Sequence, residues 1–108
     1  MSKISTHVLD TAHGLPAAGI PVTLRAADGS LLGEGRTNAD GRVSELGPDE
    51  LPAGIYTLVF DTGRYFELID REGFYPRVTI DFEIIDPDEH FHVPLLLNPF
   101  GYSTYRGS

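Results

Sequence analysis

The sequence predicts an all-β protein, a β-sandwich of seven to eight short strands with one short helix. Three observations predict it. Twelve glycines and eight prolines fall between short alternating runs instead of gathering in one linker, which is turn punctuation. The runs between them are rich in β-branched and aromatic residues. Two pairs, Asp28-Gly29 and Asp40-Gly41, are of the kind that reaches positive φ cheaply and closes hairpins.

Taken in order, Lys3–Leu9 is the first strand, with Ile4, Thr6 and Val8 facing inward and Ser5, His7 and Leu9 outward. Pro21–Ala27 and Ser30–Thr37 flank the Asp28-Gly29 turn, and Gly54–Asp61 follows the Pro-rich stretch after the second Asp-Gly pair. Pro48–Leu51 is a possible helical turn. Thr62 to about Glu72 reads as the one helix, because Tyr65, Phe66 and Ile69 fit one helical face and Gly73 and Pro76 stop it. In Arg77–Ile85, Val78, Ile80, Phe82 and Ile84 alternate with Thr79, Asp81 and Glu83, a half-buried pattern. Phe91–Leu97 puts Phe91, Val93, Leu95 and Leu97 on the core side and His92, Pro94 and Leu96 on the other. Tyr102–Arg106 closes the series. Two strands thus each carry one histidine on an outer face beside a leucine, and an outer face that carries leucines is expected to be covered.

A chain of 108 residues has room for one domain, residues 1–108. At this size about 60–70% of the unfolded surface is buried, which leaves little material to wall a deep private pocket. The formal charge of −8 repels phosphate backbones and anionic membranes, so neither nucleic acid nor membrane is an expected partner. Zero cysteines exclude a disulfide framework, a thiolate nucleophile and Cys-ligated zinc. No stretch approaches a membrane span and no secretory signal opens the chain, so it reads as cytoplasmic.

Without cysteine, His7, His13, His90 and His92 lead any search for acid–base chemistry. His13 reads as part of an exposed turn and His90 as part of a solvated acidic loop. His7 and His92 stand out because parity places them mid-strand on a partly apolar face, where a structural role and a functional one are equally open. His90-Phe91-His92 puts two imidazoles on the same side of a strand near Asp86, Asp88 and Glu89, but no third ligand stands at a fixed spacing, and a metal site is not expected. A serine-nucleophile elbow and a phosphate-cradling glycine loop are both absent from the sequence.

The ends of the chain carry a resemblance. Ser5-Thr6-His7-Val8-Leu9-Asp10, His92-Val93-Pro94-Leu95-Leu96-Leu97 and Tyr102-Ser103-Thr104-Tyr105-Arg106-Gly107-Ser108 resemble the signatures of the 5-hydroxyisourate hydrolases, the transthyretin-related enzymes of purine catabolism. The likeness runs in order through the whole chain. Its middle, including Thr37-Asn38-Ala39-Asp40-Gly41-Arg42, is shared loosely by many prealbumin-like sandwiches and speaks for the fold. The closing Tyr-Arg-Gly-Ser is the more specific element.

The resemblance implies a transthyretin-like β-sandwich, a homotetramer with active sites where subunits meet, a small purine-derived substrate, and no cofactor or metal. It implies His7, Arg42, His92 and Ser108 as catalytic residues, with His7, Arg42, Tyr105, Arg106 and Ser108 binding substrate. The reaction implied is ring opening of 5-hydroxyisourate by water at a carbonyl carbon, giving 2-oxo-4-hydroxy-4-carboxy-5-ureidoimidazoline. These side chains suit it: imidazole activates water, and guanidinium supplies donors to a planar polar ring and a developing oxyanion. The rival reading is a transthyretin-like small-molecule carrier or a prealbumin-like binding module, which needs the fold and a groove but no acid–base pair.

Overall fold

Each alternating run becomes a strand. The computed structural model describes residues 3–108, and among them lie β1 (Ile4–Asp10), β2 (Leu15–Pro16), β3 (Pro21–Ala26), β4 (Leu31–Arg36), β5 (Arg42–Val43), β6 (Gly54–Phe60), β7 (Val78–Ile84), β8 (Phe91–Asn98) and β9 (Gly101–Thr104), with α1 (Thr62–Leu68) between β6 and β7. One sheet has the order β2-β1-β8-β9, with β5 pairing the same edge of β1 as β2; the other has the order β4-β3-β6-β7. All neighbours are antiparallel except β1 and β8, which run parallel over seven residue pairs from Ile4 opposite Phe91 to Asp10 opposite Leu97. No helix among the described residues is long and apolar enough to cross a membrane.

The core is the inner face of both sheets. Ile4, Val8, Phe91, Val93, Leu95 and Leu97 from one meet Val22, Leu24, Leu58, Phe60, Val78 and Ile84 from the other, all buried. Each such side chain contributes about 1.5–3 kcal/mol relative to exposure. The inward positions expected in β1, β7 and β8 are the buried ones, with Phe82 half-buried.

Four local expectations are corrected. Among the described residues the strands number nine instead of seven to eight, because β2 and β5 are two residues long and too short to show alternation. The last strand lies at Gly101–Thr104, so Tyr105 and Arg106 fall beyond it. The helix ends at Leu68, well before Glu72. Asp70 takes φ +55, and the amides of Asp70 and Arg71 turn back to the carbonyls of Glu67 and Phe66, a hydrogen-bonded stop that aspartate tolerates without glycine. Pro48–Leu51 is not helical: the Pro48 carbonyl accepts from the Lys3 amide, and Leu51 is buried in the core.

A buried polar cluster ties the helix to the sheet. The Asp10 carboxylate, at the end of β1, accepts from the Tyr65 hydroxyl at 2.6 Å, from the amides of Ala12 and His13, and from His13 Nδ1 at 2.8 Å. Burial alone would raise the Asp10 carboxyl, but the bonds from Tyr65 and His13 hold it below its ordinary value of 3.8. Burial and the adjacent carboxylate push the Tyr65 phenol up. His13 is thus engaged at this cluster, away from the other histidines. Because its folded value is depressed, the stability Asp10 contributes is present in full above 3.8 and is lost as pH falls through the lower folded value. Tyr65→Phe is expected to cost about 1–3 kcal/mol at pH 7. Denaturant titrations should find this gap shrinking as the pH is brought below 3.8; a gap that does not depend on pH would refute the coupling.

Candidate active site

The parallel register decides which outward side chains meet. Ser5 lies opposite His92, His7 opposite Pro94 and Leu9 opposite Leu96. On the other side of β1, Arg42 in β5 lies opposite His7. Side chains alternate along strands, so Ser5, His7, Arg42 and His92 share the outer face of one sheet.

Arg42 is delivered there by a tight loop. The Asn38 side chain accepts from the amides of Asp40 and Arg42, and the Asn38 amide bonds to the Arg42 carbonyl. Gly41 sits at φ +75 with its carbonyl bonded to the Val8 amide, and a Cβ there would lie 2.4 Å from the Val8 carbonyl oxygen. Only glycine lets the loop close on β1 at this point.

A cavity of about 420 Å³ opens on this face. Arg42, His90, His92 and Ser108 line it, with Ser5, Thr6 and Ser44. His7 stands beside it: it is not part of the lining, yet it is close enough to act electrostatically on His92. Burial, then the charge of Arg42, then His7 and His90, hold His92 below its ordinary value, while a hydrogen bond with the Ser5 backbone works the other way. His92 is therefore a neutral imidazole at pH 7, able to accept a proton. Its Nδ1 lies 2.9 Å from Ser5 Oγ, and the same hydroxyl lies 2.9 Å from Nε2 of His90.

The last four residues divide. Gly107 bridges to His92, its amide bonded to the His92 carbonyl at 2.8 Å, and Thr104 Oγ1 donates to the Pro94 carbonyl. A Cβ on Gly107 would lie 2.5 Å from His92 Cδ2 and 3.2 Å from Pro94 Cγ. The segment thus lies flat against the imidazole, burying Pro94, and delivers Ser108 to the cavity. Tyr105 and Arg106 go elsewhere. They line a neighbouring cavity of about 310 Å³ against β7, where Arg106 pairs with Glu89 at 2.5 Å and its guanidinium lies 4.7 Å from the centre of the Phe91 ring. His92 lines both cavities.

Of the candidate site residues, then, His7, Arg42, His92 and Ser108 come together, and Tyr105 and Arg106 sit across the closing segment from them. Two serines of the lining, Ser5 and Ser44, stand outside the candidate set, and His90, a candidate set aside as part of an acidic loop, joins them. Ser5 was findable, being two positions before His7 and on the same face. His90 was read as solvated, and it is exposed, but its ring turns to Ser5. Among the described residues no group of three or more His, Asp or Glu side chains is placed to hold a metal ion.

Comparison with known proteins places this architecture. Residues 4–107 match the HIUase/Transthyretin family. The 5-hydroxyisourate hydrolase of Mus musculus is 45% identical over 113 residues, covering 99% of this chain and 96% of that one. The solved 5-hydroxyisourate hydrolase of Klebsiella pneumoniae superposes with a TM-score of 0.90 at 45% identity, covering 100% of this chain and 94% of its own. Sea bream transthyretin, solved in complex with thyroxine, has the same fold at a TM-score of 0.88 but only 28% identity, covering 97% and 94%.

The packing of Gly107 on His92 has a measurable consequence. Gly107→Ala is expected to lift the closing segment off the ring: the amide of residue 107 loses its protection from hydrogen exchange, while Tm moves by no more than about 4 °C, the size of a change near 1 kcal/mol. Unaltered protection of that amide would mean that the segment does not need glycine there.

Proposed function

The chain belongs to the HIUase/Transthyretin family, and from that premise we infer that it is an enzyme that hydrolyses 5-hydroxyisourate to 2-oxo-4-hydroxy-4-carboxy-5-ureidoimidazoline in urate degradation. Near-full-length likeness to 5-hydroxyisourate hydrolases supports the activity. The geometry that carries the mechanism is the gathering of a neutral His92, His7 and Arg42 on one sheet face beside an open cavity.

In the proposed mechanism His7 and His92 hold a water molecule against a ring carbonyl carbon, and one of the imidazoles takes its proton as the carbon–oxygen bond forms. The same proton is returned to the ring nitrogen as the carbon–nitrogen bond breaks, so no net proton leaves the site. Arg42 and the Ser108 hydroxyl orient the ring and donate to the oxyanion. In a chain of charge −8 this guanidinium matters, since none of the side chains lining the cavity is a carboxylate and Arg42 supplies positive potential that the surface as a whole does not. Tyr105 and Arg106 belong to the proposal as substrate-binding residues reaching the site through His92, the wall that their cavity shares with it.

The proposal extends to a cytoplasmic homotetramer with the sites at subunit boundaries. Its support is the openness of the face: Ser5, His7, Leu9 and Leu96 are only half-buried on the chain alone, and a second copy would complete the enclosure.

The experiment follows the absorbance of the transient intermediate made by urate oxidase, with and without this protein. Acceleration at micromolar enzyme is expected, and His7→Asn, His92→Asn and Arg42→Gln should each reduce it by about 10²–10⁴-fold. No acceleration would favour the carrier reading, and full activity in both histidine variants would overturn the site.

A further inference from the structure

Resting on the reading that His92 exchanges protons with water, we propose that Ser5 and His90 are positioning residues for it, a hydrogen-bonded chain that presents the unprotonated Nε2 of His92 to the cavity. Three observations carry this. Ser5 Oγ lies 2.9 Å from both His92 Nδ1 and His90 Nε2, so one hydroxyl joins the two rings. The parallel register sets Ser5 opposite His92, which makes the contact a product of strand pairing and not of a loop. Finally, Ser5, His90 and His92 all line the same cavity.

A hydroxyl has one proton, so it donates one of these bonds and accepts the other. For Nε2 of His92 to carry its lone pair, the proton of the neutral ring must sit on Nδ1. Nδ1–H then donates to Ser5 Oγ, and the Ser5 hydroxyl donates to Nε2 of His90. The chain therefore selects the base form of His92 without any carboxylate. When His92 Nε2 takes a proton from water the ring becomes a cation. The chain can move that charge outward: the Nδ1 proton passes to Ser5 Oγ as the hydroxyl proton passes to His90 Nε2. His92 is left neutral with a proton on Nε2, and His90, which is exposed to solvent, holds the charge. The reverse shift returns it when the leaving nitrogen is protonated, so every proton is accounted for. The groups facing His92 across the face, Arg42 from β5 and His7 from β1, both disfavour a lasting cation there, which is why an exposed acceptor is useful.

The test uses the full chain with Ser5→Ala, Ser5→Thr, His90→Gln and His92→Asn. Ser5→Ala is expected to lower kcat about tenfold with KM within about twofold, and Ser5→Thr, which keeps the hydroxyl, to recover most of it. His90→Gln removes a ring whose protonation works against protonation of His92, so the acid limb of kcat/KM should move to higher pH. Ring-nitrogen NMR without substrate should find His92 protonated on Nδ1 in the wild type and in both tautomers in Ser5→Ala. Wild-type kcat in Ser5→Ala, or one unchanged His92 tautomer there, would overturn the inference while leaving the site reading intact if His92→Asn is inactive. Full activity in His92→Asn would instead remove the site reading, and this inference with it. Should Ser5→Ala not fold, an unmoved acid limb in His90→Gln, a change at an exposed position, would be enough to reject it.

Discussion

The parallel pairing of β1 with β8 is the contact on which the rest depends. Among the described residues it is the one parallel ladder in two otherwise antiparallel sheets, and it fixes both faces at once. In this register Ile4, Thr6 and Val8 enter the core beside Phe91, Val93 and Leu95, while Ser5, His7, His92 and Pro94 emerge together outside. A slip of one residue would turn one of the two strands over, putting its histidine into the core and its valine into water. Core packing thus enforces the geometry of the candidate site: about 1.5–3 kcal/mol per buried side chain opposes any other alignment. Thr6 adds a check of its own, its hydroxyl donating to the Val93 carbonyl at 2.6 Å within the buried layer.

Much of this was legible from alternation. Parity gives the inward sets of β1, β7 and β8 and puts His7 and His92 outside, while the Gly, Pro and Asp-Gly punctuation gives the turns. It could not say which strands are neighbours, since period-two patterning carries no information about pairing partners. The contact between Ser5 and His92 became visible only with the register, and so did the approach of Arg42 to His7. The helix end was misplaced because Gly73 is the stronger local signal, whereas the chain turned at Asp70 through hydrogen bonds to Phe66 and Glu67. The closing segment was the hardest to read. Tyr105, Arg106, Gly107 and Ser108 look like one motif in sequence, but the chain leaves β9 at Thr104 and is pinned to His92 at Gly107, so Tyr105 and Arg106 line one cavity and Ser108, past the pin, lines Arg42's.

The electrostatics divide in the same way. Two carboxylates near the ends of strands are occupied locally, Asp10 with Tyr65 and His13 and Glu89 with Arg106, and neither lines the cavity where Arg42 stands. No Asp or Glu side chain lines the cavity where Arg42 and His92 are gathered. His92 is kept uncharged by burial and by its neighbours together, and the segment that buries it is the one whose glycine fits flat against its ring.

The parallel ladder also sets an order of events during synthesis. β1 precedes and β8 follows every strand of the other sheet, and Ser5 and His92 are 87 positions apart. Until β8 emerges, the long edge of β1 that will carry it has no partner, and β3, β4, β6 and β7 can pair first, since each is close in sequence to its neighbours. Contacts between such distant positions form late because the loop must close before they contribute. The histidine face is then a late product of folding, and a chain cut before β8 leaves that edge of β1 unpaired and open to a foreign strand.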